Sequence, residues 1–187
     1  MKNKLFVMSA PSGAGKTTLK DLVITEFPDI HYSISATTRA PREGEINGVH
    51  YFFKTKEEFF YMIEHNLLVE WNEVHGNYYG TPKCFVEETL AAGFRVIFDL
   101  DVFGKMNFDK VYPESTGILV LPPNFEVLEQ RLRARNTDSE EVIQLRLKNA
   151  KMEIEFAKTC GKYEFILIND NLEKTADELR QILRKQD

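Results

Sequence analysis

Ten contiguous residues, Ser9-Ala-Pro-Ser-Gly-Ala-Gly-Lys-Thr-Thr18, carry the strongest chemical signal in the chain. An apolar run over residues 5–8 leads in, and a helix-compatible run over 19–26 leads out. Strand, glycine-bearing loop, Lys-Thr and helix in that order form a phosphate-binding loop. In such a loop backbone N–H groups point inward, and the following helix adds the positive end of its dipole. Lys16 brings a mobile ammonium to the phosphates, and the Thr17 hydroxyl is the ligand expected for a nucleotide-bound Mg²⁺. The strict pattern has glycine six residues before the lysine, where this chain has Ala10. A methyl is tolerated there at negative φ, and Gly13 and Gly15 keep the freedom that the tight part needs.

Other residues suit the same chemistry. Asp99 follows the apolar run 96–98 at a strand end; there it either faces solvent or holds the Mg²⁺ shell from the side opposite Thr17. A helix over 124–135 carries Arg131, Arg133 and Arg135, of which Arg131 and Arg135 share a face. Arg146 lies beyond a break at 136–139. Arginines on two sides of a hinge would let a lid neutralise a transferring phosphoryl group; the other reading is a solvated face paired with Glu140 and Glu141. Arg39 and Arg42, with Tyr51 downstream, sit in a hydroxyl-rich loop and match a second phosphate dianion, which guanidinium groups grip bidentately. Glu70 lies mid-strand in Leu68-Val-Glu-Trp71, and alternation leaves its face open. Facing inward, its carboxylate would accept the adjacent ring N–H and amino group of guanine, a donor pair that adenine lacks.

These groups need a scaffold. Short apolar strands over 5–8, 31–34, 95–101, 117–121 and 165–168 alternate with helices over 15–26, 81–92, 124–135, 140–158 and 172–183. That alternation predicts a parallel sheet with helices on both faces and the phosphate loop at the carboxyl ends of its strands. Residues 35–82 interrupt it with a polar loop, a short aromatic strand, a helix opened by the capping box Thr55-Lys-Glu-Glu58, a strand over 67–74 and a turn at 76–80.

Composition bounds the rest. The 187 residues, 43% hydrophobic and 28% charged, describe one soluble domain with a real core. A net charge of −5 argues against nucleic acid as a partner except through local positive clusters. Cys84 and Cys160 lack metal or redox spacing, and no run approaches a membrane span, so a cytoplasmic protein with free thiols is expected. Phe60 and Tyr61 belong either to the core or to an interface between copies of the chain, so a homo-oligomer stays open.

Together these residues resemble guanylate kinase along nearly the whole chain. The likeness rests on residues 9–17, Thr37-Thr-Arg-Ala-Pro-Arg-Glu-Gly-Glu45, Asn47-Gly-Val-His-Tyr51, Glu70-Trp71, Gly76-Asn-Tyr-Tyr-Gly-Thr81, Asp99-Leu-Asp101, Arg135-Asn-Thr-Asp-Ser-Glu-Glu141 and Ile168-Asn-Asp170. The resemblance implies an α/β, three-layer P-loop NTPase fold with a central parallel sheet, a small mixed α+β GMP-binding region over 35–82 and a helical lid over 124–158. Residues 1–34, 83–123 and 159–187 would form the core. It implies ATP on Ala10, Pro11, Ser12, Gly13, Ala14, Gly15, Lys16, Thr17 and Thr18, with Arg131, Arg135, Arg146 and Asn169 closing over it. Arg39, Arg42, Tyr51 and Tyr79 would hold the GMP phosphate, with Glu45 in the same region. Ser35, Glu70, Thr81 and Asp101 would read guanine. Asp99 stands between the GMP side and the Mg²⁺ shell, which it shares with Thr17 partly through water. Lys16, Arg39, Arg135 and Arg146 would carry catalysis. The departures are Ala10, Thr81 where serine is common, and Val102-Phe103 where the family usually shows glutamine before the glycine. A non-catalytic interaction module of this kind keeps the acceptor-side arginines and can lose the rest; Lys16, Thr17 and the lid arginines are retained here.

Overall fold

β1 (Leu5–Ser9) is buried at every position and sits at the centre of a parallel sheet. The computed structural model describes residues 4–184 apart from 75 and 135–138. β7 (Arg95–Asp99) and β8 (Thr116–Leu121) flank β1, and β2 (Ile30–Tyr32) and β9 (Phe165–Ile168) form the edges, in the order β2-β7-β1-β8-β9. Side chains alternate across a strand, and β1 uses both faces. Phe6 and Met8 pack with Leu19 and Val23 of α1 (Lys16–Ile24) and Leu179 and Leu183 of α7 (Leu172–Arg184). Leu5 and Val7 pack with Val86 of α3 (Lys83–Ala91) and Phe108 of α4 (Val102–Val111). The result is three layers, and the register Met8↔Asp99 brings Asp99 to the edge from which the loop after β1 emerges.

A second, mixed sheet holds β3 (Ala36–Thr37), β4 (Phe52–Phe53), β5 (Leu68–Val74) and β6 (Asn77–Pro82) in the order β4-β3-β6-β5. β3 and β4 are parallel, and the other pairs are antiparallel. α2 (Lys56–Glu64) packs Phe59 beneath it and starts at the expected capping box, with Thr55 Oγ1 accepting from Glu58 N–H and Glu58 returning the bond. The expected turn over 76–80 is instead mostly β6. Its tyrosines favour a pleated surface, and pairing to both β3 and β5 satisfies its backbone. Only Gly76, at φ +75°, needs turn freedom. Gly80 is required for close packing: a Cβ there would meet Glu70 O at 3.0 Å and Leu68 Cδ1 at 2.9 Å.

A second correction falls at 95–101. β7 stops at Asp99, and Asp101 begins α4 as its N-cap, its carboxylate accepting from the N–H groups of Phe103 and Gly104. A strand over all seven residues would leave those amides without that acceptor. α5 (Phe125–Ala134) and α6 (Glu140–Cys160) close one side through Leu128, Leu132, Ile143, Leu147 and Ala150, and the end of α6 seats Ala157 against Leu119 and Leu121 of β8. Phe60 and Tyr61 are exposed, not core. No helix among the described residues is long and apolar enough to cross a membrane.

Candidate active site

The loop from Ala10 to Gly15 joins β1 to α1. Gly13 and Gly15 lie at φ +93° and +90°, while Ala10 keeps an ordinary φ, as a side chain there requires. Gly15 is the N-cap of α1, no side chain caps that end, and its first turn carries no acid. This is an anion-ready helix terminus. The loop is braced from behind. The Asn169 amide donates to Ala14 O at 2.8 Å, and a Cβ on Gly15 would meet that amide nitrogen at 2.5 Å. Leu128 and Leu132 of α5 press on Gly13. Ala14 and Asn169 thus form the back wall of the loop. Lys16 Nζ pairs with the Asp99 carboxylate and donates to Leu100 O at 3.0 Å.

One cavity of about 360 Å³ runs from this loop to the second sheet. Nucleotide-sized ligands occupy pockets on that scale. The end at the phosphate loop is lined by Ala10 to Gly13 and by Gly15 to Thr18; Asp99, paired with Lys16, and Arg146 line the cavity too, and Asp101 lines it beside Gly104 and Glu70. The far end is lined by Ser35, Arg42, Tyr51, Glu70 and Tyr79. The arginines of α5 divide. Arg131 turns inward, donating from Nη2 to Asn169 O at 2.8 Å, with Nη1 buried and unpartnered among the described residues. Arg133 is the solvated member, bonded to Glu129 and Glu140. Arg135 lies outside the described residues.

At the far end Glu45 organises the arginine loop. Its Oε1 accepts from Arg39 Nη2 at 2.8 Å and its Oε2 from Arg42 N–H at 2.7 Å. The Arg39 hydrogen bond holds the Glu45 carboxyl below the usual carboxylate range. The Arg39 guanidinium lies 5.3 Å from the Tyr51 ring centre, and Tyr51 meets Tyr79 edge-on at 6.0 Å. Burial pushes the Tyr51 phenol up, with Asp99 and Tyr79 acting in the same direction, so its hydroxyl stays a donor. Arg39 and Glu45 therefore support the wall that Arg42, Tyr51 and Tyr79 present.

Glu70 resolves inward: it is 7% exposed and accepts from Thr81 Oγ1 at 2.7 Å. Burial pushes its carboxyl up to about 8; the Thr81 bond opposes this and the Asp101 charge adds to it. Its Oε2 lies 3.2 Å from where a Cβ on Gly104 would sit, so a side chain at 104 would crowd that oxygen. Phe103 packs its ring on Phe156 of α6 at 4.6 Å, which is where the unusual Val102-Phe103 pair takes its bulk.

Two cavity residues with functional side chains, Asn72 and Glu153, escape the sequence reading. Asn72 lies two positions beyond Glu70 on β5, and Glu153 lies seven beyond Arg146 on α6. Those spacings put each pair on one face of its element. Burial pushes the Glu153 carboxyl up to about 7, with Asp101 adding to the shift and Lys16 and the Ser12 backbone amide opposing it.

No group of three or more His, Cys, Asp or Glu among the described residues could hold a metal ion. The hard oxygen donors Thr17 and Asp99 line the same cavity, an incomplete set. That fits Mg²⁺, which binds through one or two carboxylates plus substrate phosphates and keeps several waters.

A family model for guanylate kinase matches residues 2–186. The guanylate kinase of Desulfitobacterium hafniense (strain Y51) is 44% identical over 179 residues, covering 96% of this chain and 88% of that one. That of Neisseria gonorrhoeae (strain ATCC 700825 / FA 1090) is 46% identical over 182 residues, covering 97% and 87%. The crystal structure of guanylate kinase from Anaplasma phagocytophilum superposes with a TM-score of 0.75 at 31% identity, covering 96% of this chain and 84% of that one. With the match running through the phosphate loop, the second sheet and both closing helices, the chain belongs to the guanylate kinase family.

Proposed function

We infer that this chain transfers the γ-phosphoryl group of ATP to GMP, giving ADP and GDP. The observation that carries the reading is the single cavity with a phosphate loop and Lys16 at one end and the buried Glu70 carboxylate at the other. ATP phosphates fit the loop amides and the α1 N-terminus. The GMP phosphate fits Arg42, Tyr51 and Tyr79, with Arg39 and Glu45 holding that wall in place. Guanine fits Ser35, Glu70, Thr81 and Asp101.

The nucleophile is a GMP phosphate oxygen, an anion at neutral pH, so no general base is needed. The bond from that oxygen to the γ-phosphorus forms as the bond to the β,γ-bridging oxygen breaks, and ADP leaves with the electron pair. The obstacle is repulsion between two polyanions plus alignment, so catalysis is positioning and charge neutralisation. Mg²⁺, held by Thr17 and by Asp99 partly through water, would supply positive charge at the transferring group. Lys16 leaves Asp99 for the phosphates, an exchange of one ionic partner for another. Arg146 approaches from α6. Residues 35–82 then act as the GMP-binding region and 124–158 as the lid over a core of 1–34, 83–123 and 159–187; their closure expels water and limits ATP hydrolysis. The exposed free thiols Cys84 and Cys160 suit a reducing, cytoplasmic setting.

A coupled assay with Mg²⁺ and ATP across the nucleoside monophosphates tests this. GMP should turn over, and AMP and UMP should be poor by orders of magnitude. Comparable turnover of AMP would remove the guanine-reading role from Glu70.

A further inference from the structure

Glu70 cannot read the whole edge of guanine without help. Its Oε1 is engaged by Thr81 Oγ1, and its Oε2 is the oxygen kept clear beside Gly104. Guanine presents a ring N–H and a 2-amino group with two hydrogens. A second acceptor is needed in the same plane, and Asp101 lines the same cavity.

Asp101 is held from three sides. Its Oδ1 accepts from Phe103 N–H at 2.8 Å and Gly104 N–H at 2.7 Å as the cap of α4. The third restraint is Asn72, whose Nδ2 lies 3.4 Å from Oδ1 and 3.3 Å from Oδ2, astride the carboxylate. The amide orientation is fixed by its neighbour: Asn72 Oδ1 accepts from Glu73 N–H at 3.0 Å, and an NH₂ group there would oppose a donor. A donor spread across two oxygens at these lengths is weak by itself. Its effect is directional: the helix cap fixes one oxygen, and Asn72 fixes the rotation of the carboxylate about it.

We propose that Asn72 is a specificity-determining positioning residue, which holds Asp101 so that its Oδ2 accepts the guanine 2-amino group. This rests on GMP being the acceptor. Hypoxanthine keeps the guanine ring N–H and lacks the 2-amino group. IMP therefore reports on Glu70 without Asp101, and GMP on both.

The test is steady-state kinetics of wild type and Asn72→Ala with GMP and with IMP, alongside thermal unfolding of both proteins. In Asn72→Ala the KM for GMP should rise about tenfold with kcat nearly unchanged, and the constants for IMP should stay as in wild type. The GMP-to-IMP ratio of kcat/KM then shrinks about tenfold. Asn72→Asp keeps the shape and turns the donor into a second carboxylate; it should shrink the ratio further, and it serves if the alanine variant fails to fold. A wild-type enzyme indifferent to GMP and IMP would overturn the guanine reading itself. A wild type that prefers GMP, with variants that keep the full ratio or lose both substrates in parallel, would overturn only the role of Asn72.

Discussion

In the proposed reaction the two ends of the cavity recognise their ligands by opposite means. The donor end is one contiguous loop whose working groups are backbone amides and a partly exposed ion pair, Lys16 with Asp99. Backbone amides grip any phosphate, and the half-buried Lys16 ammonium can exchange its carboxylate partner for a phosphate of the same charge sign. The acceptor end gathers Ser35, Glu70 on β5, Thr81 on β6 and the cap of α4 into one wall, and its key group is a buried carboxyl. A buried carboxyl resists ionisation until donors are supplied. The donor end thus trades selectivity for ready charge exchange, and the acceptor end trades ready charge for selectivity.

Lys16→Ala breaks the donor end alone and should have the largest effect. Turnover should fall roughly a thousandfold, since a charge aimed at the transferring group is removed. Calorimetric binding of GMP should be nearly unchanged, because Glu70 and the arginine loop are built from other segments. Undiminished turnover would remove Lys16 from the chemistry.

The acceptor end is sharpened by pH. Burial raises the Glu70 carboxyl to about 8 in the free protein, and a base offering two donors needs it ionised. Guanosine avoids the titration of a phosphate. Its affinity should climb close to tenfold per pH unit from pH 6 toward 8 and flatten above, with about one proton released on binding. Glu70→Gln should bind about a hundredfold more weakly at pH 8 and show no such slope. The sign for folding is the reverse. A carboxyl raised in the folded state makes the empty protein lose stability as pH rises from about 4.5 toward 8. Glu70→Gln should therefore unfold at a higher temperature than wild type at pH 8.5, and the gap should close by pH 5.

The same contrast decided what the sequence could disclose. Order along the chain identifies the donor loop because its ten residues are neighbours, and alternation of strands and helices places it at a sheet edge. The acceptor wall depends on pairings that no local pattern carries. β3 is two residues long, too short for a period, and the Asn77–Pro82 strand is written in residues that also suit a turn. α4 carries Gly104 in its first turn, a poor helix former at a point where a side chain would crowd Glu70. Alternation along β5 leaves the face of Glu70 open; Thr81 on β6 and Gly104 on α4, both distant in sequence, are what enclose it. Asn72 and Glu153 become visible only as the face partners of Glu70 and Arg146, a signal available from spacing once those two are chosen. The arginine helix shows the converse: Arg131 and Arg133 are two apart and so lie on different faces, and the structure turns Arg131 to Asn169 and Arg133 to Glu140.

Glu153 offers the mildest test, because it places a titrating carboxyl at the end that otherwise reads phosphate without one. From α6 it faces the Ser12 N–H, a loop amide that a nucleotide phosphate would also seek, and burial leaves it near 7. When ionised it competes with the incoming anion and repels it; when neutral it does neither. Glu153→Gln should therefore bind ATP a few-fold more tightly than wild type at pH 8, with the difference fading by pH 6. Comparing the two proteins at each pH cancels the titration of the nucleotide itself. Affinity for GMP should be the same in both, since Ser12 belongs to the donor loop. Weaker ATP binding in the variant would mean that the carboxylate supports the loop in its bound form, and the donor end would then share the buried-acid strategy of the acceptor end.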